Sequence, residues 1–507
     1  MIAQQARRAF ILGASLLSLG ALAAAQTNPA PKSLKQVSYD TGVVYNNGTD
    51  IEQVAVLYID EPGTPWMRVN FDDVVLAGSL DLGNASYLKI TSLQDGYFQL
   101  LNAESMLQWR NESAYFNGGS LQIELFASPG TGANRLSVDQ LTLGAQPPVL
   151  ESQCGPTDDR IPSSDPFSAR ILPVGCTGFL INDACGCFLT AGHCTFATQT
   201  VQFNVPASNS NGSLNNPPPA DQYSVDNSSL QSNGGQGVGN DWGYFGVFPN
   251  STTGQMPRTA QGGNYTFANP PSYDPSKRVR ITGYGVDGGT RNQTQQTQVG
   301  PWLNYNVGNT ALSYQTDTEG GNSGSPVIQE EAGTVMGIHT HGGCSATAGN
   351  NGTAAVHPGL QAALANPQGV CLKVTPPTCG TVPVATVDNG TGANPLCLTS
   401  LTEPALGTTW DLAVDTSVVA GANFAGVRLQ ATGGPTTIEL GELLLDLSRP
   451  ILTTVTVNGT GTQVLSLALP SSVNMAGFMA SAQGFVGVNG RVRQLCNAIQ
   501  FTLGCQQ

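Results

Sequence analysis

Charge is scarce in this chain of 507 residues. Only 11% are Asp, Glu, Lys or Arg, against about a quarter in ordinary soluble domains. Long solvated helices and coiled coils, which need charged faces, are therefore excluded. With 20 basic against 34 acidic residues the formal charge is −14, and only five of the basic residues are Lys. No basic stripe is available to neutralise phosphates, which excludes nucleic acid as a partner. Long apolar runs are missing too: beyond the first 25 residues none approaches the ~20 residues of a membrane-spanning helix, so no membrane span is expected. Histidine is rarer still. The four, His193, His339, His341 and His357, all fall in the middle of the chain, which confines imidazole chemistry to one stretch.

What is present is glycine and proline, 61 and 32 residues, with 40% hydrophobic residues. That is enough apolar surface for a core, and it is punctuated by turns, the composition of an all-β protein. At roughly 150 residues per domain the length suggests three units. All eleven Cys lie at or beyond Cys154, a number that points to disulfides formed outside the cytoplasm, and an odd one that leaves a thiol over. Arg7-Arg8, the apolar stretch Phe10 to Leu22 and Ala23-Ala24-Ala25 read as a signal peptide, residues 1–25, cut before Gln26. Export by the general secretory or the twin-arginine route, to the extracellular space or the periplasm, is expected.

Alternating runs mark strands at Val54 to Tyr58, Tyr87 to Thr91 and Leu121 to Leu125, and again at Trp410 to Val414, Thr437 to Leu440 and Val464 to Leu469. Gly144 to Pro148 and Lys373 to Pro377 read as linkers. The expected organisation is a β-sandwich at 26–146, accessory domain or prosegment, a central unit at 153–372, and a second accessory sandwich at 380–507. The outer units carry no catalytic constellation, and any ligand they take is unidentified.

Three stretches of the central unit carry chemistry: Leu189 to Cys194 around His193, Asn240 to Phe245 beginning with Asn240-Asp241, and Gly320-Gly321-Asn322-Ser323-Gly324-Ser325. Taken singly, Gly-Asn-Ser-Gly reads equally well as a hairpin turn, His193 as a packed core residue and Asp241 as a turn acid. Together, in the order His, Asp, Ser and separated by 48 and 82 residues, they supply what acyl transfer needs. Ser323 is the nucleophile, His193 the base that takes its proton and returns it to the leaving amine, and Asp241 the group that orients His193 and stabilises its imidazolium. The backbone N–H groups of Gly321 and Ser323 are assigned to the oxyanion hole, because glycine bends easily into such a turn. Activity is expected to fall in acid, where a protonated His193 cannot act as base. Protein or peptide substrates are the expected partners, and no cofactor is needed.

From about residue 153 to 372 the chain resembles chymotrypsin-fold serine endopeptidases and, within that clan, the bacterial glutamyl endopeptidases. The resemblance rests on Thr157-Asp158-Asp159-Arg160, Cys176 to Ile181 leading to Thr190-Ala191-Gly192-His193-Cys194, Ile281 to Tyr284, Thr316 to Pro326, and Gly337 to Gly342. It implies a chymotrypsin-like double β-barrel with the triad between barrels, here flanked by two β-sandwich-like domains. It also implies a Cys176–Cys194 disulfide, and a preference for cleavage after Glu, less so Asp, with Thr318 and His339 holding the substrate carboxylate. An imidazole and a hydroxyl suit that task, since both donate hydrogen bonds. Asp317, six residues before Ser323, stands where trypsin-like enzymes bind Arg or Lys, so cleavage after basic residues is the alternative. Glu319 would repel a substrate carboxylate unless it points into solvent. Asn322 replaces the acid that pairs with a new α-amine in trypsin-like zymogens, so control by that ion pair is not expected. The resemblance further implies a mature N-terminus near Gln153.

Proximity alone suggests the pairs Cys379–Cys397 and Cys496–Cys505, while Cys154, Cys185, Cys187, Cys344 and Cys371 cannot be connected from sequence. His339, His341 and Cys344 alternate as zinc ligands can, but a fourth ligand is missing, and no metal is expected. A rival of another class is an inactive protease-like binding or adhesive protein.

Overall fold

The computed structural model describes residues 27–80, 83–145, 154–345, 348–372, 380–449, 451–470 and 475–505. The expected signal peptide, Gln153, the linker at 373–377 and most of that at 144–148 lie outside them. The architecture is almost entirely β. The longest described helix, Pro358–Ala365, has 8 residues, as the frequent Gly and Pro require.

The central part is two barrels of six strands each. The first contains β1 (Ser168–Pro173), β2 (Cys176–Leu180), β3 (Phe188–Thr190), β4 (Thr198–Gln202), β5 (Gln222–Ser232) and β6 (Gly243–Val247). The second contains β7 (Arg278–Gly283), β8 (Gln296–Asn304), β9 (Ala311–Tyr314), β10 (Pro326–Gln329), β11 (Thr334–His341) and β12 (Asn350–Ala354). The first closes in the order β1-β2-β3-β6-β5-β4; the second closes in the same cyclic order, β7-β8-β9-β12-β11-β10, through the β8–β9 pairing. Phe179, Phe188, Leu189, Tyr223 and Phe245 fill the first core, and Val279, Ile281, Trp302, Leu312, Tyr314 and Val327 the second. Strands β2, β3 and β6 are buried throughout, so they read as continuous apolar runs rather than alternating ones.

Ahead of the barrels a five-stranded sheet faces a four-stranded one across a core of Met67, Val69, Leu136 and Leu141 against Leu88, Ile90, Ile123 and Leu125. The three strands read from alternation here occur as Glu52–Asp60, Tyr87–Ser92 and Ser120–Ala127. This unit docks on the first barrel through polar contacts. Arg110 donates to the carbonyls of Val225 (3.0 Å) and Gln199 (2.9 Å). The Gln222 side chain bonds both backbone groups of Tyr115, and Asn117 exchanges bonds with Asn216.

The C-terminal unit has sheets of five, three and two strands around Trp410, Leu412, Val427 and Phe501. Trp410 to Val414 and Val464 to Leu469 fall in the strands Thr409–Asp415 and Thr462–Ala468, the latter ending one residue short of Leu469. The expected strand Thr437 to Leu440 ends at Ile438, because Glu439 and Leu440 form the turn of a hairpin pairing Ile438 with Gly441. Both proximity pairings of cysteines are corrected: Cys397 is bonded to Cys496. Cys496 lies in the strand Arg491–Thr502, whose six remaining residues carry the chain ~20 Å toward Cys505, beyond the ~7 Å reach of a disulfide. Cys397 instead leads into Leu398–Ser400, which Asn497 bonds side-on through both Leu398 backbone groups.

Candidate active site

The three residues of the expected triad gather where the two barrels meet. His193 sits on a short turn, Gly192–Ala197, directly after β3, and Asp241 just before β6. Because β3 and β6 are neighbours, the first barrel brings these two together. The His193 ring donates from Nδ1 to Asp241 Oδ2 at 2.6 Å, and the His193 backbone N–H donates to Asp241 Oδ1 at 3.0 Å. Both carboxylate oxygens thus hold one residue, and Asp241 is buried. Thr353 on β12 clamps the Asp241 main chain, its hydroxyl donating to the Asp241 carbonyl (2.8 Å) and accepting from the Asp241 N–H (3.1 Å).

Ser323 comes from the second barrel, on the loop between β9 and β10. Thr177 of β2 ties that loop to the first barrel: its N–H donates to the Ser323 carbonyl (2.9 Å) and its hydroxyl to the Gly321 carbonyl (2.9 Å). The expected disulfide Cys176–Cys194 is present, and Cys194 Sγ lies 3.8 Å from the Ser323 carbonyl. Ser323 is therefore next to the residue that follows His193. Its Oγ faces the Thr340 carbonyl at 3.5 Å, and His193 Nε2 is buried without a hydrogen-bond partner among the described residues. Catalytic hydrogen bonds are often open in ligand-free enzymes and form with substrate.

The loop aims its amides inward. Asn322 N–H bonds Glu319, Ser325 N–H bonds Asn322, and Gly324 N–H bonds His339 at 2.7 Å. The N–H groups of Gly321 and Ser323 donate to no acceptor among the described residues. Gly321 has φ +101, a conformation that a side chain would strain.

Residues 176–338 match the family of trypsin-like peptidase domains. The chain carries a trypsin-like peptidase domain. Solved structures similar to it include a Glu endopeptidase in complex with MPD, at 16% identity, covering 42% of this chain and 97% of that one with a TM-score of 0.33. A protease, Anisep, from Arthrobacter nicotinovorans shows 15% identity over 38% of this chain and 91% of its own, with a TM-score of 0.29. A thermostable serine protease, AL20, from an extremophilic microorganism shows 14% identity over 35% and 82%, with a TM-score of 0.28. No curated protein matches the chain.

In the peptidase domain the expected specificity residues are all buried, yet differently engaged. Asp317 accepts from the backbone N–H groups of Cys154 and Asp159, both at 2.8 Å, and Cys154 is bonded to Cys344. Its two oxygens cap the entry segment of the domain. Thr318 Oγ1 accepts from Asn350 Nδ2 at 2.8 Å. Glu319 is buried, so pointing into solvent, the condition under which it would not repel a substrate carboxylate, is not met. His339 on β11 is buried, and its Nδ1 is 2.7 Å from the Tyr314 hydroxyl. Burial, with His341 and His193 nearby, pushes the His339 imidazole from its ordinary 6.5 down to about 3; burial also raises the Tyr314 hydroxyl well above its ordinary range. Tyr314 thus keeps its proton; with its hydroxyl as the donor to Nδ1, the neutral His339 ring carries its proton on Nε2. That Nε2 has no hydrogen-bond partner among the described residues.

Sequence spacing points to no catalytic or pocket role for Tyr314, Asn350 or His341. Tyr314 carries one signal: with Leu312 it forms the buried face of a short strand just ahead of the Ser323 loop. From the sequence, His341 is expected only as a ligand in the metal alternative. It lies with Nδ1 4.0 Å from Asp241 Oδ2 and its ring 6.3 Å from that of His193; burial lowers its pKa while Asp241 opposes the shift. The metal alternative lacks a thiolate, since Cys344 is in a disulfide. Cys176, His193 and Cys194 also converge, but their two sulfurs are bonded to each other.

Proposed function

We propose that this chain is an exported serine endopeptidase that cleaves after Glu and, less readily, Asp, through an acyl-enzyme formed on Ser323. The observation that carries the reading is the doubly held pair His193–Asp241 beside Ser323, facing two amides without acceptors. As substrate enters, rotation about the Ser323 Cα–Cβ bond brings Oγ to His193 Nε2, which takes its proton during attack on the carbonyl carbon. The carbonyl oxygen becomes negative and is held by the N–H groups of Gly321 and Ser323, a contact worth about 3 kcal/mol per donor in related chemistry. Asp241 keeps the ring in the tautomer that leaves Nε2 free to accept, and stabilises the imidazolium. His193 returns the proton to the departing amine, and water then repeats the sequence to release the acid. All the chemistry comes from the chain's own groups.

The Glu preference is supported by the His339 Nε2–H, a buried donor without an acceptor, which a substrate carboxylate would satisfy. Asp317 does not support the alternative of cleavage after Arg or Lys, because both its oxygens already accept backbone hydrogens. Among the described residues, export is supported by four disulfides, and no helix is long and apolar enough to cross a membrane. The test is labelling of the secreted protein with a fluorophosphonate, followed by a peptide library. Labelling lost in Ser323→Ala and cleavage after Glu are expected. No labelling would favour an inactive binding protein, and cleavage after Arg or Lys alone would overturn the specificity.

A further inference from the structure

We propose that Thr27–Pro31 is an intramolecular strap lying in the leaving-group side of the catalytic cleft, which extended substrates must displace. The side is assigned on the reading of His193 and Ser323 given above; the contacts of the strap do not depend on that reading.

The strap reaches the peptidase domain at the turn between β1 and β2. Asn28 N–H donates to the Gly175 carbonyl at 3.2 Å and Ala30 N–H to the Pro173 carbonyl at 3.1 Å, an antiparallel register. Gln293 Nε2 donates to the Asn28 carbonyl at 2.7 Å. The approach is so close that a Cβ on Gly175 would stand 1.7 Å from the Asn28 carbonyl oxygen. At its leading end the strap meets the nucleophile loop: Thr27 O and Asn28 Cβ each lie 3.9 Å from where a Cβ on Gly320 would be. At its trailing end Ala30 is buried with Trp66, Tyr115, Leu172 and Leu214, and the Pro31 carbonyl accepts from Ala145 N–H.

The covalent chemistry of the rim identifies the side. Gly175 adjoins Cys176, which is bonded to Cys194, the neighbour of His193. His193 gives its proton to the departing amine, so the half of a substrate that leaves must lie along this rim. An extended peptide there would add itself to the free carbonyls of the turn, as chains do at exposed strand edges. Asn28 and Ala30 already do so. The sequence is suited to this one-sided pairing: the donors are at 28 and 30, while Pro29 and Pro31, which have no N–H, alternate with them and hold the chain extended. A segment tethered to its own site competes at a local concentration of about millimolar, so it need not bind tightly to raise the apparent KM of substrates that use this rim.

Two substrates with the same glutamyl acyl half separate the effect: a 4-nitroanilide, which ends at its leaving group, and a fluorescence-quenched peptide extended by four residues beyond the cut bond. Deleting residues 26–29 is expected to raise kcat/KM on the extended peptide at least about fivefold and to leave the nitroanilide within about twofold. Asn28→Pro, which removes one donor from an otherwise intact chain, is expected to act in the same direction if the deletion impairs folding. An unchanged rate on the extended peptide, or an equal rise on both substrates, would overturn the strap. A second measurement needs no turnover. On a Ser323→Ala background, a labelled peptide Thr-Asn-Pro-Ala-Pro-Lys is expected to bind the deletion variant and not the full chain, read by fluorescence anisotropy. Equal binding to both, or none to the deletion variant, refutes the proposal. If neither protein cleaves either substrate, the serine peptidase reading fails while the anisotropy result still decides the strap.

Discussion

The hydroxyl of Tyr314 offers a test of how the pocket reads its substrate. Tyr314→Phe removes one oxygen from a site where both partners are buried and 2.7 Å apart, and leaves the His339 Nδ1 without its donor. With Tyr314 as the donor, that bond keeps the proton on Nε2, the atom proposed to meet the substrate carboxylate. In the variant the ring is no longer held to this tautomer or orientation. Stranding one buried nitrogen costs about 1–3 kcal/mol. If about 1–2 kcal/mol of that is felt in the transition state for a glutamyl substrate, kcat/KM falls roughly five- to thirty-fold, at about 1.4 kcal/mol per factor of ten. The assay compares two peptide nitroanilides that differ only in Glu or Phe before the cut, together with fluorophosphonate labelling of Ser323. The glutamyl rate is expected to fall, with the Phe rate and the labelling within about twofold. An equal fall on both substrates, or an unchanged Glu to Phe ratio, would refute the role given to His339.

Acid should loosen the peptidase domain through the same imidazole. Its folded pKa is depressed to about 3 from 6.5, so between these values the unfolded chain holds the extra proton. Stability is complete above about pH 6.5 and declines as pH falls, by about 1.4 kcal/mol per unit and about 2 kcal/mol by pH 5. Urea unfolding of wild type and His339→Gln from pH 7.5 to 5 checks this, and parallel slopes would contradict it. Asp317→Ala strands the N–H groups of Cys154 and Asp159 and is expected to cost about 2–4 kcal/mol in unfolding free energy. A selective loss of cleavage after Arg or Lys would instead restore Asp317 as a pocket acid. Arg110→Ala removes two bonds from the N-terminal unit to the first barrel, and calorimetry should show that unit melting earlier by several degrees; an unchanged profile would mean the seam is held elsewhere.

How much of this could be read from the chain differed with the burial of each strand. Val54 to Tyr58 and Leu121 to Leu125 alternate because one face of each meets the sandwich core and the other is more open. In the first barrel, β2 and β6 are covered on both sides, and alternation carries no information there; motifs located them instead. His193, Asp241 and Ser323 stood out because acyl transfer restricts residue types as well as spacing. The partners of Asp317 were invisible to spacing: the N–H groups that occupy it come from Cys154 and Asp159, 163 and 158 residues earlier in the chain. Cysteines failed for the same reason. Cys154–Cys344 and Cys187–Cys371 span 190 and 184 residues, and closeness along the chain says little about closeness across a sheet.

The bond from Cys154 to Cys344 bears on the question of whether the N-terminal unit is an accessory domain or a prosegment. A cut ahead of Cys154 would sever the main chain, yet the first residue of the new chain would stay bolted to Cys344, three residues past β11, with its nitrogen on Asp317. The severed unit would still be gripped at Arg110, Tyr115 and Asn117. Retention and removal are then no longer the only fates: a nicked protein would travel as two chains in native conditions and part only in denaturant.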